Sequence, residues 1–563
     1  MTRFVQAQRN VLNRWGLVLS LGIALSAGPF FCRTASADTS VATQPPITQQ
    51  PVTQPADTQP TVTETAPASF DPADPPAGMF VDEWYTVLMG GRKCGQMRIR
   101  MDRVSSPDGD RIVTQTKMQM TVQRTGIEIT VATYNKTTET LDGKPLSFRR
   151  ETHLAQQPLI VEGTISNDEV RVVSSQLGQE LPERTYALPR GAMMDWAVYR
   201  EQFKRGLEPG TRYTLDLYEP SISLNRLCTA DIEIQESETV DLYGRRVEAV
   251  RTRQVMHIPS GHDRSIPQET ISWITPDGQN VRFEMSVMDM AVEVIAVPKS
   301  IAMAPNDPAE LLLDMVIPLG RSLDADRLDQ VTYRVRFEGQ ADESPLKDLP
   351  ETAVQKITGH DENEALVQVT RPSALSETPP AIPLSESERA RYLAASPVLN
   401  YHDPRIVELV EQAAGQETDP RRLAQQMMHF VDRYIEEKSF DIGFATASEV
   451  ARSRQGDCTE HGVLLAAMGR AKDIPTRLVT GLLYVDAFAG RRDILAGHLW
   501  TQFWIDGQWV DLDATRPTMD PPPIYIALTF SAADDAGFAD LIASTWLNIA
   551  RLKIEVATTK TRQ

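Results

Sequence analysis

Short runs of apolar residues alternate with polar residues through residues 79–297. Met118, Met120 and Val122 show this period of two clearly. Successive side chains of a strand point to opposite faces, so the period predicts strands with one buried face. A helical pattern at residues 191–203 interrupts these runs. The region is therefore predicted to be a large antiparallel sheet, and a sheet curved over that helix is one form it could take.

The first residues have the composition of a secretory signal. Arginines at positions 3, 9 and 14 precede an apolar run over residues 15–31 and the small residues Ala35-Ser36-Ala37. This order is typical of a signal peptide with an A-x-A cleavage site, which we predict over residues 1–37. An uncleaved membrane anchor is the alternative, although the run is short for a spanning helix. We expect an exported protein, periplasmic or extracellular, that touches a membrane only through this segment if it is retained.

Changes in composition divide the rest of the chain into four parts. Residues 38–78 are rich in Pro, Thr and Gln. They are predicted to be a disordered tether, because few large apolar side chains are present to offset the entropy of ordering. Residues 79–300 form the antiparallel β-rich domain. Residues 301–386 are predicted to be a small β-rich domain with a linker, and residues 387–563 a C-terminal domain.

The net charge limits the kind of partner. The chain has 57 Lys and Arg against 76 Asp and Glu, for a formal net charge of −19. No basic stripe offsets the repulsion that phosphates would meet on such a protein. Nucleic acid is therefore excluded as an expected partner, and the oligomeric state is left open.

From residue 387 onward the pattern changes first to helix and then to strand. Leu423, Met427 and Val431 recur at helical spacing after Asp419, which is a suitable N-terminal cap. Strand patterns return after Arg470. Helices followed by an antiparallel sheet are typical of an α+β domain.

A cysteine stands at the start of a predicted helix. In the sequence Gly456-Asp457-Cys458-Thr459-Glu460-His461, Asp457 and Glu460 have the spacing of a capping box. Cys458 would then lie in the first turn, where the peptide dipoles favour the thiolate, which is the nucleophilic form. A buried, unreactive cysteine is the alternative interpretation of this position.

A predicted hairpin brings a histidine and an aspartate together. If Asp506-Gly507 is a two-residue turn, the residues that flank it pair, and this register places Trp500 opposite Asp513. His498 then lies on the same face, diagonal to Asp513 and within hydrogen-bonding reach of it. We predict that His498 is a general base and that Asp513 orients it.

Three neighbouring residues have other possible roles. His461 is a rival base because it lies one helical turn from Cys458, although no orienting partner can be named for it. Asp511 shares the face of Asp513 but lies two residues further from the histidine. Trp500 is either a substrate-binding residue or a packing residue.

The cysteine count also bears on Cys458. Removal of the signal would leave Cys94, Cys228 and Cys458, an odd number for an exported protein. Cys94 and Cys228 both lie in the β-rich region and could form a disulfide, although their distance cannot be read from the sequence. That pairing would leave Cys458 as the thiol without a disulfide partner.

At these residues the chain resembles the transglutaminase-like superfamily, whose papain-like core has Cys, His and Asp in this order. The matching elements are Gly456-Asp457-Cys458, Glu460-His461, Ile474-Pro475-Thr476-Arg477, His498-Leu499-Trp500, Asp506-Gly507, Trp509-Val510 and Asp513-Ala514-Thr515. The resemblance covers residues 404–517, and it implies that residues 387–563 are a transglutaminase-like catalytic domain. It also implies that Cys458 is the nucleophile, His498 the base and Asp513 the orienting carboxylate. Residues 79–300 are also similar to the N-terminal domain of exported bacterial members.

The residues and the resemblance together predict an exported thiol enzyme. It would attack a carboxamide or peptide carbonyl of a protein or peptide substrate, form a thioester, and pass the acyl group to an amine or to water. A cysteine peptidase or amidase of cell-envelope substrates is one alternative, and a binding or scaffold protein of the envelope without activity is another. No cofactor and no metal are predicted, because the histidines lack ligand spacing with other candidate ligands.

Overall fold

The computed structural model describes residues 70–124, 127–153, 158–177, 179–260, 264–276, 278–287, 290–308, 316–338, 344–361, 363–375, 383–436, 445–488, 490–533 and 552–562. The predicted signal segment and most of the predicted tether lie outside these residues. No helix among the described residues is long and apolar enough to cross a membrane.

A large antiparallel sheet accounts for the alternating region. Its strands are β1 (Gly78–Met89), β2 (Arg92–Val104), β3 (Arg111–Arg124), β4 (Ile127–Thr140), β5 (Pro145–His153), β6 (Leu159–Ser166), β7 (Glu169–Gln176), β8 (Gln179–Glu180), β9 (Arg184–Ala187), β10 (Arg212–Leu217), β11 (Cys228–Leu242), β12 (Arg245–Ser260), β13 (Arg264–Ile274), β14 (Asn280–Val287) and β15 (Met290–Ala296). They follow the order β10 to β15, then β1 to β8, and β9 pairs with β7. The predicted strands are confirmed: Met120 pairs with Val131, and Met118, Met120 and Val122 are all buried.

One helix lies against this sheet. Helix α1 (Asp195–Arg205) begins four residues later than the helical pattern in the sequence suggested. Its Trp196 and Tyr199 are buried in the main core. Glu139 on β4 accepts hydrogen bonds from the backbone N–H groups of Trp196, at 2.6 Å, and of Ala197, at 3.0 Å. The sheet thus supplies the cap that the start of this helix needs. A second, short helix, α2 (Lys299–Ala302), packs against β1.

A smaller antiparallel sheet follows in the middle of the chain. It contains β17 (Leu328–Phe337), β18 (Gln355–His360), β19 (Glu364–Thr370) and β24 (Leu552–Thr561), in the order β18-β19-β17-β24. The sequence correctly indicated strands here. However, the last strand of the chain, which the sequence placed with the catalytic domain, pairs with β17 of this middle sheet.

The C-terminal part combines helices with a sheet, as the α+β prediction requires. Its sheet contains β16 (Ile317–Pro318), β20 (Thr476–Phe488), β21 (Arg491–Ile505), β22 (Gln508–Leu512) and β23 (Tyr525–Ser531). The order is β16-β21-β20-β23, and β22 also pairs with β21. The helices are α3 (Glu386–Leu393), α4 (Pro404–Ala414), α5 (Pro420–Tyr434), α6 (Ala447–Ser453) and α7 (Cys458–Ala471).

Helix α7 is the centre of this part. It contacts α4, α5 and α6 as well as β20 and β21. A Cβ atom added to Gly462 would lie 2.3 Å from Cδ2 of Leu499 on β21. A larger residue at this position would have to displace the Leu499 side chain, so glycine lets the helix and this side chain pack closely.

The possible disulfide between Cys94 and Cys228 is not formed. Cys94 lies on β2 and Cys228 on β11, both are buried, and no disulfide links the described cysteines. The two side chains belong to different apolar clusters of the large sheet. The cysteine count therefore does not single out Cys458.

Candidate active site

The start of helix α7 has the predicted capping box. The Asp457 side chain accepts a hydrogen bond from the Thr459 backbone N–H at 2.9 Å, and the Glu460 side chain accepts one from the Asp457 backbone N–H at 2.9 Å. Gly456, with φ of 141°, precedes the cap, and a Cβ atom there would lie 2.2 Å from Cγ of Glu460. The motif thus holds Cys458 at the first residue of the helix.

Cys458 is completely enclosed, with 0% of its surface exposed. Burial raises the pKa of its thiol well above the usual value, and the negative charge of Asp457 raises it further. The backbone N–H of Leu499 donates a hydrogen bond to the sulfur, and this hydrogen bond lowers the thiol pKa. The net direction, a raised pKa, is opposite to the one expected for a cysteine at a helix start, and burial is its largest cause. The contact with Leu499 also places the sulfur beside the peptide bond that joins His498 and Leu499.

The hairpin has the register that the sequence predicted. Asp506 and Gly507 both have positive φ, 52° and 78°, as a two-residue turn of this type requires. Ile505 pairs with Gln508, and Trp504 with Trp509. Strand β22 ends at Leu512, so Asp513 follows directly in the connection toward β23.

His498 and Asp513 meet as predicted. The Nε2 atom of His498 lies 2.8 Å from Oδ2 of Asp513, and both side chains are buried. Oδ1 of Asp513 accepts from the backbone N–H of Thr515 at 2.8 Å and from its hydroxyl at 2.6 Å. Burial alone would raise the pKa of Asp513. The charge and hydrogen bond of His498, and the two hydrogen bonds from Thr515, bring this pKa well below the ordinary value. Asp513 is therefore an ionised acceptor.

An ionised Asp513 determines the tautomer of His498. Because the carboxylate can only accept, Nε2 carries the proton in the neutral imidazole, and Nδ1 has the lone pair. Nδ1 is buried and makes no hydrogen bond with any residue that the structure describes. The imidazole is thus arranged to accept one proton at Nδ1.

The rival residues have other contacts. Nδ1 of His461 lies 2.6 Å from the backbone oxygen of Asp457, in the first turn of its own helix. Oδ1 of Asp511 accepts from the indole N–H of Trp500 at 2.6 Å and from the side chain of Gln502 at 2.7 Å. Asp511 therefore fixes Trp500 rather than His498, and its burial raises its pKa.

Trp500 packs close to the histidine. Its ring is stacked on that of His498, with centroids 6.1 Å apart, and only 3% of its surface is exposed. With Asp511, Asp513 and Tyr525 it lines a cavity of about 30 Å³, which is large enough to admit a water molecule. Its role in binding substrate stays a prediction.

Two contacts of Asp513 were missed by the sequence analysis. Thr515 could have been found, because an Asp followed two residues later by a hydroxyl or N–H donor is a common local motif. The hydroxyl of Tyr525, on β23, donates to Oδ2 of Asp513 at 2.9 Å. No local pattern predicts this second contact, since it depends on where the strand lies in the sheet.

The described part of the chain contains no group of three or more His, Cys, Asp or Glu side chains that could hold a metal ion.

Residues 407–514 match the model of the transglutaminase-like superfamily, so the resemblance inferred from the sequence is confirmed for this segment. The match contains Cys458, His498 and Asp513. No curated protein matches the chain.

Several solved structures are similar over parts of the chain. A candidate cysteine protease from Cytophaga hutchinsonii is 16% identical, with a TM-score of 0.26, over 42% of this chain and 86% of its own. A beta-barrel-like protein of a domain of unknown function from Brucella abortus is 12% identical, with a TM-score of 0.30, over 39% and 96%. The periplasmic domain of TgpA from Pseudomonas aeruginosa is 18% identical, with a TM-score of 0.19, over 36% and 96%. Scores this low do not establish a shared fold or function.

Proposed function

We propose that this protein is an exported thiol enzyme of the transglutaminase-like type. Cys458 would attack a carboxamide or peptide carbonyl of a protein or peptide and form a thioester, and the acyl group would pass to an amine or to water. The observation that carries the proposal is the His498–Asp513 hydrogen bond of 2.8 Å, which leaves Nδ1 of His498 without a hydrogen bond among the described residues.

The first step is attack by sulfur. The high pKa of Cys458 means that the resting thiol is neutral, so its proton must move to Nδ1 of His498 as the S–C bond forms. Asp513 stabilises the imidazolium that results, because it is ionised and accepts from Nε2. The carbonyl oxygen becomes an oxyanion, and the backbone N–H of Cys458 is the proposed donor for it.

The second step releases the amine and resolves the thioester. The C–N bond of the tetrahedral intermediate breaks, and the leaving nitrogen takes the proton from Nδ1 of His498. An incoming amine or water then gives a proton to Nδ1 as it attacks the thioester, and this proton returns to the sulfur when the S–C bond breaks. Histidine thus serves as base and acid in turn.

The burial of the site limits how a substrate can reach Cys458. With Cys458 and His498 both fully buried, a carbonyl can reach the sulfur only after surrounding residues move. Substrate binding must therefore be coupled to a local conformational change.

The experiment offers a glutamine-containing peptide to the full-length protein, with and without a primary amine, and follows the products by mass spectrometry. Incorporation of the amine indicates acyl transfer, deamidation indicates amide hydrolysis, and two shorter fragments indicate peptide cleavage. Each of these products supports the thiol mechanism only if the Cys458→Ala variant does not form it.

Cys94→Ala provides the matched control, since Cys94 is also a fully buried cysteine but lies in the large sheet. It should keep the activity. If the wild-type protein modifies neither this peptide nor a set of cell-envelope peptides, or if Cys458→Ala is as active as the wild type, the enzyme proposal is wrong and a binding or scaffold role remains.

A further inference from the structure

We infer that Tyr525 is a positioning residue for the His498–Asp513 pair, and that Gln355 of the middle sheet holds Tyr525 in place. This inference rests on the proposed function of the same site. It gives the middle sheet a part in catalysis that neither the family match nor the sequence motifs assign.

The first step of the argument is the shared oxygen. The Tyr525 hydroxyl donates to Oδ2 of Asp513 at 2.9 Å, and Nε2 of His498 lies 2.8 Å from the same atom. Thr515 supplies both contacts to the other oxygen. With two donors on each oxygen, the carboxylate is held against rotation, and the orientation of the imidazole plane follows from it.

The second step is the protonation state of the tyrosine. Burial raises the pKa of Tyr525 well above its usual value, and the nearby charge of Asp513 raises it further. The hydroxyl therefore remains a donor over the whole pH range in which an enzyme of this type would work. A donor on Oδ2 also lowers the proton affinity of Asp513, so the proton stays on Nε2 and Nδ1 stays the basic atom.

The third step is what fixes the tyrosine. Strand β23 lies at one edge of its sheet, where β20 is its only strand partner among the described residues. On this strand, Ala527 lies two residues after Tyr525 and shares its face. The Ala527 backbone N–H donates to Oε1 of Gln355 at 2.9 Å, and Nε2 of Gln355 donates to the Ala527 backbone oxygen at 2.9 Å.

The Gln355 amide thus bonds to the strand as a neighbouring backbone would. Gln355 is itself buried and also donates to the backbone oxygen of Pro350 at 2.8 Å. It begins strand β18 of the middle sheet. A chain of contacts therefore runs from the middle sheet through β23 and Tyr525 to Asp513 and His498.

The test begins with Tyr525→Phe in the full-length protein, which removes the hydroxyl and keeps the ring. We expect kcat to fall about 10-fold, with KM within about 2-fold of the wild type, because ground-state contacts to substrate are unchanged. The acid limb of the pH profile of kcat/KM should move to higher pH, since Asp513 loses a donor. Gln355→Leu should lower kcat by a smaller factor. Because Gln355 acts through Tyr525, Gln355→Leu should lower kcat less in a protein that already carries Tyr525→Phe than in the wild type.

Tyr484→Phe is the matched control. Its hydroxyl also donates to a carboxylate of the same sheet, Oδ1 of Asp493 at 2.7 Å, and it also accepts from the Leu323 backbone N–H. Neither contact involves His498 or Asp513, so kcat and the pH profile should stay at wild-type values.

A measurement that does not depend on catalytic activity distinguishes this inference from the proposed function. The proton on Nε2 of His498 can be followed by NMR in protein labelled at histidine, and Tyr525→Phe should change its resonance while Tyr484→Phe does not. If the protein has no activity but this change is seen, the positioning contact stands and the proposed function fails. If kcat, the pH profile and the resonance of Tyr525→Phe all match the wild type, the inference is overturned.

Discussion

Glu139 in the large sheet and Asp513 beside the C-terminal sheet are both buried carboxylates, but the two are in opposite states. Glu139 accepts two backbone N–H groups at the start of α1, and burial together with the charge of Asp195 raises its pKa to about 8. Asp513 has a pKa well below the ordinary value although it is also buried. The difference is the partner: Asp513 has an imidazole and three further donors, whereas two amides do not offset the desolvation of Glu139.

This comparison separates a structural acid from one suited to catalysis. Glu139 caps a helix, and its two hydrogen bonds among the described residues come from backbone N–H groups. Asp513 is ionised, contacts His498, and lies in a site where the Leu499 N–H binds the Cys458 thiol. Buried carboxylates are therefore informative about function only when their electrostatic partners are known.

The largest expected effect is on activity, with the same chemical change at both positions. Asp513→Asn should lower kcat by about 10³- to 10⁴-fold, because a neutral amide no longer selects the Nε2–H tautomer or stabilises the imidazolium. Glu139→Gln, the matched substitution in the large sheet, should leave kcat unchanged. Steady-state kinetics on the peptide that proves active would check both, and a loss of similar size in the two variants would contradict the comparison.

The second prediction concerns the thiol at the start of α7. Because burial raises the pKa of Cys458, its alkylation by iodoacetamide should increase with pH and reach half its maximum above about 8.5, the value of an ordinary thiol. Mass spectrometry of the peptide that contains residue 458 measures the rate at each pH. Because Cys458 is enclosed, the reagent reacts with the form of the site that admits it. A midpoint below 7 would mean that a thiolate–imidazolium pair exists in that form, and the neutral-thiol mechanism would be wrong.

The third prediction concerns stability and applies to Glu139. The unfolded chain releases this proton near pH 4.5, whereas the folded protein keeps it until about pH 8. The folded state thus binds more protons between these values, so this group makes the free energy of unfolding fall as pH rises, by at most about 1.4 kcal/mol per pH unit. Glu139→Gln should flatten that dependence, as measured by denaturant unfolding at pH 5, 6.5 and 8. A slope unchanged from the wild type would show that Glu139 is ionised throughout.

The smallest effect is expected at Asp511. An asparagine there can still accept the hydrogen bonds from Trp500 and Gln502 through its own Oδ1, and His498 is not among its contacts. Asp511→Asn should therefore change kcat by less than about 3-fold, because the two hydrogen bonds that hold Trp500 and Gln502 are kept. A loss as large as that of Asp513→Asn would make Asp511 the orienting carboxylate.

The sequence alone was enough to predict the parts of the site that depend on local geometry. Asp457 and Glu460 are three residues apart, and one turn of helix brings them into the capping box. The Asp506-Gly507 turn sets the register of a hairpin, and the register in turn brings His498 to Asp513. In both cases short-range backbone geometry links the residues, so their separation along the chain predicts their separation in space.

Only the tertiary structure decided the electrostatics and the long-range contacts. The thiol pKa depends on how completely Cys458 is desolvated and on which charges surround it, and neither quantity is a local property of the chain. Gln355 and Ala527 are 172 residues apart and Tyr525 contacts Asp513 from another strand, so these contacts follow from the packing of the two sheets. The same packing explains why the last strand joined the middle sheet, since strand pairing between distant segments leaves no pattern in either one.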